Sequence, residues 1–171
     1  MSDEAPGSPS EDLAAIVESA LNAAEVSWES DRPGSFVVTL PGQRKLQTVA
    51  ALVIGSHAFT VEAFFMRRPD ENAAEVYKFL LGRNAKMYGV SFAVDQVGDV
   101  FIVGHLPLAS INAAEIDRLL GCVLTYADEN FNQALELGFA TSIRREWAWR
   151  VSRGESLDNL RAFASFADPD R

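Results

Sequence analysis

Two runs of apolar, β-branched and aromatic residues between residues 46 and 68 constrain the fold more than any other part of this sequence. They are separated by Gly55, Ser56 and His57. This pattern is typical of a long β-hairpin, with the glycine at the turn, where a positive φ is least costly. We therefore predict that such a hairpin forms the centre of the fold.

The second strand of this hairpin has one apolar face and one mixed face, because side chains alternate along a strand. The apolar face carries Phe59, Val61, Ala63 and Phe65, and the mixed face carries Thr60, Glu62, Phe64 and Met66. We expect helices to cover the apolar face. A sheet with one face in solvent usually alternates more cleanly than this. Phe64 and Met66 should therefore be covered by a helix of the same chain or by another subunit.

The remaining periodicity predicts one α+β domain, since 171 residues suit a single core. The predicted fold is a twisted antiparallel sheet of about five strands flanked by helices, in the order α-β-β-β-α-β-β-α plus C-terminal helices. We expect an acidic disordered tail at 1–9 and a domain at 10–167. The predicted helices cover residues 9–24, 73–88, 113–138, 142–153 and 156–166.

The net charge of −9 disfavours binding to nucleic acid or to anionic membrane, because both require clustered positive charge. No run approaches the roughly 18 apolar residues of a membrane span. The first residues are acidic and polar and contain no signal peptide, so we expect a cytoplasmic protein. Cys122 is interpreted as a small core residue.

The sequence contains no pattern typical of a catalytic or metal site. His57 and His105 lack a histidine, cysteine or carboxylate at metal-ligand spacing. Phosphate-binding loops, nucleophile elbows and zinc-protease signatures are also missing from the sequence. We therefore predict no enzyme, no cofactor and no metal.

Residues 67–72 place two arginines beside a predicted helix start. A helix N-terminus is positive and has free N–H groups, so Arg67, Arg68 and Asp70 could bind a small anion or a partner's carboxylate. Local pairing of the arginines with Asp70 and Glu71 is the favoured alternative. Asp70 or Asn72 is predicted to cap the following helix.

Residues 142–153 carry four arginines and one glutamate, a net charge of +3 in an acidic chain. Trp147 and Trp149 point in different directions on a helix. Trp147 shares a stripe with Ile143 and Val151 and is the predicted core residue. Trp149 should be exposed or at an interface, because Trp and Arg are enriched where proteins bind each other. An intramolecular ion-pair network ranks second, and nucleic acid a distant third.

Several linked segments of this sequence resemble the YbjN family of bacterial proteins over residues 13–166. They are FVVTLPG at 36–42, RRPDEN at 67–72, RN at 83–84, GDVF at 98–101 and EWAWR at 146–150. The resemblance implies a fold similar to the small dimeric chaperones of type III secretion, and it carries over no catalytic residue. It implies a regulatory or chaperone-like role.

These observations together predict a non-enzymatic protein-binding module, chaperone-like or a regulatory adaptor, that acts as a homodimer. The alternative is a small-anion or nucleotide sensor at Arg67, Arg68 and Asp70. The expected partner is another protein, with no role for nucleic acid or membrane. The predicted partner-binding residues are Phe64, Met66, Arg144, Arg145, Trp149 and Arg150.

Overall fold

The structure is a computed structural model that describes residues 9–168. It has the predicted α+β fold, with an antiparallel six-stranded sheet flanked by helices. The strand order is β1-β2-β3-β4-β6-β5. The elements are α1 (Pro9–Ala23), β1 (Ser27–Arg32), β2 (Ser35–Pro41), β3 (Gln47–Ile54), β4 (Ala58–Met66), α2 (Ala73–Asn84), β5 (Ser91–Val94), β6 (Val100–Pro107), α3 (Ala113–Arg153) and α4 (Ala164–Ala167), with 3₁₀ helices at Leu108–Ser110 and Asp158–Phe163. Residues 1–8 of the predicted tail lie outside the described residues.

The predicted central hairpin is formed by β3 and β4, with Ile54 opposite Phe59. Gly55 does not adopt the expected positive φ. A Cβ at this position would lie 2.9 Å from the Ala58 carbonyl oxygen, so close approach of the backbone is what requires glycine there. The sixth strand is β1, an edge strand joined to β2 by a short turn. Gly34 in that turn has a φ of 75°.

The prediction that Met66 lies on the mixed face of β4 is wrong, because there is a β-bulge near the end of this strand. Phe64 is opposite Phe101 and Met66 is opposite Val100, so Phe65 is an extra residue in the strand. One inserted residue reverses the alternation of side chains. Met66 therefore turns into the core and is 3% exposed, whereas Phe64 remains 42% exposed on the outer face.

The core lies between the inner face of the sheet and the helices, with α1 and α2 packed against α3. The predicted inner residues of β4 are buried, among them Phe59 and Val61. On the outer face the side chains are half-buried or exposed, and apolar residues lie beside polar ones such as Thr60 and Glu62. The apolar residues of this face include Val37, Val49, Ala51, Val53, Phe64, Phe101 and Val103.

Helix α2 ends at Asn84, four residues before the predicted end. The Asn84 side chain donates to the Phe92 carbonyl at 3.1 Å and accepts from the Phe92 N–H at 2.8 Å. These two bonds supply hydrogen-bond partners for the N–H and the carbonyl of Phe92 in the edge strand β5.

Helix α3 begins as predicted, because the side chain of Asn112 accepts from the Glu115 N–H at 3.0 Å. It has a kink at Phe139, whose φ of −142° is not helical. We call residues 140–167, which follow the kink, the C-terminal arm. The predicted helix at 142–153 is the first part of this arm and ends before Gly154, with a φ of 66°. The predicted helix at 156–166 is instead a 3₁₀ helix followed by the single turn of α4.

Candidate functional site

The kink in α3 lies against the β4–α2 loop. A Cβ on Gly138 would lie 3.0 Å from Cβ of Pro69 and 3.2 Å from Cγ2 of Val76, so only glycine fits without displacing them. The Asp70 and Glu71 N–H groups both donate to the Gly138 carbonyl, at 3.0 and 3.1 Å. The loop thus supplies donors to a carbonyl at the end of the first helical segment.

The same loop also accepts from the start of the second helical segment. The Thr141 N–H donates to Oε1 of Glu71 at 2.6 Å, and Oγ of Ser142 donates to Oδ2 of Asp70 at 2.8 Å. The side chain of Asn72 donates to the carbonyl of Leu137 at 3.1 Å. The prediction that the side chain of Asp70 or Asn72 caps α2 is wrong, since Asn72 makes no side-chain bond to the start of α2. Both side chains bond to residues beside the kink instead.

The side chains of the predicted anion-binding site, Arg67, Arg68 and Asp70, do not all come together in the structure. Arg67 donates to both carboxylate oxygens of Asp70, at 2.5 and 2.8 Å. Hydrogen bonds from Arg67 and then Ser142 lower the pKa of Asp70 from its usual 3.8 to about 2. Arg68 points elsewhere, with its aliphatic part against the turn at Gly98. The local ion pair that the sequence analysis favoured is therefore present between Arg67 and Asp70.

Two adjoining cavities lie between the end of β4, the β2–β3 loop, α3 and the C-terminal arm. Each has a volume of about 610 Å³ and opens to solvent. We call them together the groove. Both are lined by Lys45, Phe131, Leu135, Ile143 and Leu160. Phe64, Met66, Arg67, Phe139 and Arg145 line the first cavity only.

Lys45 is held in the groove by the loop that carries it. Oδ1 of Asp128 accepts from three consecutive backbone N–H groups, those of Gln43, Arg44 and Lys45, at 2.8, 2.7 and 3.1 Å. A Cβ on Gly42 would lie 2.7 Å from that oxygen, so the loop closes tightly on α3. This carboxylate therefore fixes the path of the loop.

The amino group of Lys45 lies over an aromatic surface. Its Nζ is 5.4 Å from the Phe131 ring centroid and donates to the Gln47 carbonyl at 3.0 Å. Burial lowers the pKa of Lys45 because the charged form loses water. Sequence reasoning missed Lys45, Phe131, Leu135 and Leu160, because residues far apart in the chain form the groove.

The two tryptophans of the arm lie as predicted, with Trp147 6% exposed and Trp149 45% exposed. Val151 is 57% exposed, so its assignment to the core stripe is wrong. That stripe ends one turn earlier because the helix approaches its end at Gly154.

The predicted arginines of this segment take different roles. Arg144 donates to the Phe166 carbonyl at 3.1 Å and Arg150 donates to Glu146 at 2.7 Å, so both bind within the arm. Arg145 lines the groove. Of the predicted partner-binding arginines, Arg145 alone combines exposure with a place in the groove.

Residues 13–136 match the sequence profile of the YbjN family, described as "Putative bacterial sensory transduction regulator". The chain belongs to the YbjN family. The match ends before the kink, so the C-terminal arm lies beyond the matched residues. An uncharacterized protein of Mycobacterium tuberculosis is 49% identical over 154 residues, which are 87% of this chain and 84% of that protein. A second, from Mycobacterium leprae, is 49% identical over 160 residues, or 91% and 87% of the two chains.

Solved structures with a similar fold come from type III secretion. The Yersinia pestis chaperone SycH, solved in complex with a fragment of YscM2, matches with a TM-score of 0.51 and 14% identity over 67% of this chain and 96% of that one. The heterodimeric ExoU–SpcU complex of Pseudomonas aeruginosa matches with a TM-score of 0.51 and 14% identity, over 72% and 98%. These likenesses confirm the predicted fold.

Two further features of residues 9–168 bear on the site. None of their helices is long and apolar enough to cross a membrane. The same residues contain no cluster of three or more histidine, cysteine, aspartate or glutamate side chains placed to hold a metal ion.

Proposed function

We propose that this YbjN-family protein is a non-enzymatic protein-binding module, with a chaperone-like or regulatory adaptor role, that acts as a homodimer. The observation that carries the proposal is the fold it shares with SycH, which was solved with a fragment of another protein bound. The groove beside the arm and the outer face of the sheet offer two adjoining surfaces for such contacts, and Phe64 belongs to both.

The outer face of the sheet supports the homodimer. Phe64 is 42% exposed and its ring lies 5.5 Å from that of Phe101, in an edge-to-face arrangement. Val49, also on this face, is 46% exposed. Pairing two such faces would remove apolar surface from water, which is favourable by about 25 cal/mol per Å².

Light scattering across micromolar concentrations tests the homodimer. We expect a mass of twice 18.7 kDa for the parent chain, and a shift toward monomer for Phe64→Ser. Val97→Ser is the control, because Val97 is 65% exposed in the β5–β6 turn. A monomer mass at every concentration contradicts the homodimer.

The alternative role as a small-anion or nucleotide sensor requires Arg67 to release Asp70 and Arg68 to turn toward it. The present arrangement therefore favours protein binding. A ligand that binds only the folded state raises the melting temperature. Thermal-shift measurements with phosphate, nucleotides and carboxylates, on the parent and Arg68→Ala, decide this point, and a rise that Arg68→Ala abolishes would support the sensor.

A further inference from the structure

The floor of the groove is an apolar surface that the chain itself leaves partly uncovered. Phe131 and Leu135 stand one helical turn apart on α3 and are half-buried, as is Leu160 on the arm. Residues four apart on a helix lie on the same face, so Phe131 and Leu135 form one continuous strip. Apolar side chains of another molecule can complete their burial.

The shape of the groove suits an elongated occupant. Its two cavities, each of about 610 Å³, share five lining residues and open to solvent. Small-molecule sites bury most of their ligand in an enclosed cleft. An open trough along a helix is instead typical of surfaces that bind an amphipathic peptide segment.

The charges in the groove favour a negative occupant. Each carboxylate that lines the groove already has an arginine partner in the described chain. The pairs are Asp70 with Arg67 at 2.5 Å, Glu146 with Arg150 at 2.7 Å, and Asp158 with Arg161 at 2.8 Å. Among residues 9–168, no carboxylate oxygen lies within 4 Å of a side-chain nitrogen of Lys45, Arg44 or Arg145. The carboxylate of Asp128 accepts from the backbone N–H groups of Arg44 and Lys45. The groove therefore has unneutralised positive charge in a chain with a net charge of −9.

We propose that the groove binds an acidic, amphipathic segment of a partner protein, with its apolar side chains on Phe131, Leu135 and Leu160 and a carboxylate at Lys45 and Arg145. This inference rests on the protein-binding function proposed above and names the site and the chemistry of the partner. Because the remaining surface is acidic, a segment that misses these cations is repelled, which gives specificity.

Fluorescence anisotropy with the full chain tests the charge preference. The probe is a labelled synthetic helical peptide with leucine and phenylalanine on one face and glutamate at its border. The matched peptide has lysine at the glutamate positions. We expect micromolar binding of the acidic peptide that weakens with salt, and at least about tenfold weaker binding of the lysine peptide.

Three substitutions locate the site. Lys45→Met and Arg145→Gln should each weaken binding of the acidic peptide by about fivefold or more. Arg153→Gln should leave it unchanged, because Arg153 lies on the same arm but stacks on Trp149, 5.1 Å from the ring centroid. The inference is overturned if the acidic peptide does not bind, or if the two groove variants bind it as the parent does.

Affinity capture from the native cell separates this inference from the proposed function. If the parent and Arg145→Gln retain the same identified partner equally well, protein binding stands and the groove is not the site. If neither captures a partner and the chain is monomeric, the proposed function itself fails.

Discussion

Trp147 and Trp149 provide a matched pair of substitutions, because the same atoms are removed two residues apart on one helix. Trp147 is 6% exposed and belongs to the core together with Ile143. Trp149 is 45% exposed, with the guanidinium of Arg153 at 5.1 Å from its ring centroid. Replacing Trp147 by alanine should therefore lower stability more than replacing Trp149.

The expected loss in the free energy of unfolding follows from the area that each tryptophan side chain buries. A tryptophan buries about 150–250 Å², which at about 25 cal/mol per Å² corresponds to roughly 4–6 kcal/mol. Compact denatured states reduce this value, so we expect Trp147→Ala to lower the free energy of unfolding by about 3–5 kcal/mol. Trp149→Ala loses about half that burial, about 1.5–2.5 kcal/mol, and a cation–π contact of about 0.5–1 kcal/mol. It should therefore cost at most about 2–3.5 kcal/mol, which is less than the cost of Trp147→Ala.

Urea unfolding of the two variants measures this difference, with light scattering on the same samples. We expect Trp149→Ala to unfold at a higher urea concentration than Trp147→Ala. We also expect it to weaken binding of another protein or copy, because exposed interface tryptophans often dominate binding energy. If Trp149→Ala destabilises the protein as much as Trp147→Ala, both rings are core and the outer surface of this helix is not a binding surface.

Three further variants test the contacts that position the groove. Glu71→Ala removes the acceptor of the Thr141 N–H and should cost about 1–2 kcal/mol in urea unfolding, with faster hydrogen exchange in the arm, whereas Glu71→Gln should cost less. Hydrogen bonds from Arg67 hold the pKa of Asp70 at about 2, so its ionised form stabilises the fold above about pH 4, and this stabilisation is lost as pH falls through 2. Asp70→Asn should therefore show a smaller loss of urea midpoint between pH 4 and pH 2, and an unchanged loss would contradict the pairing. Asp128→Ala leaves three loop N–H groups without their acceptor and should cost about 1–3 kcal/mol, more than Asp128→Asn.

The parts of the fold that depend on local chemistry could be predicted from the sequence. The turn at residues 55–57 follows from two strand-like runs that flank a glycine. Asn112 followed by Glu115 marks the start of α3, and Gly154 marks its end. Each of these signals acts over a few residues, so no tertiary contact is needed to interpret it.

The parts that depend on distant contacts could not be predicted. Met66 turns inward because β4 takes up a bulge opposite β6, and strand periodicity alone contains no sign of it. Asp70 and Glu71 carry the usual chemistry of helix caps, but their side chains bond to Ser142 and Thr141, about 70 residues away in sequence. The groove forms only where the kink, the arm and the loop with Lys45 lie together in space. No short sequence motif predicts that these three segments are neighbours.

Site-specific photo-cross-linking in the native cell tests the central claim, that this chain is a protein-binding module. The cross-linking residue replaces Leu160 in the groove, Val49 on the outer face, or the exposed Glu18 on α1 as control. We predict an adduct with another protein at Leu160, an adduct of two copies of this chain at Val49, and neither at Glu18. Uncross-linked chain alone at both test positions, or the same adducts at Glu18, would contradict the claim.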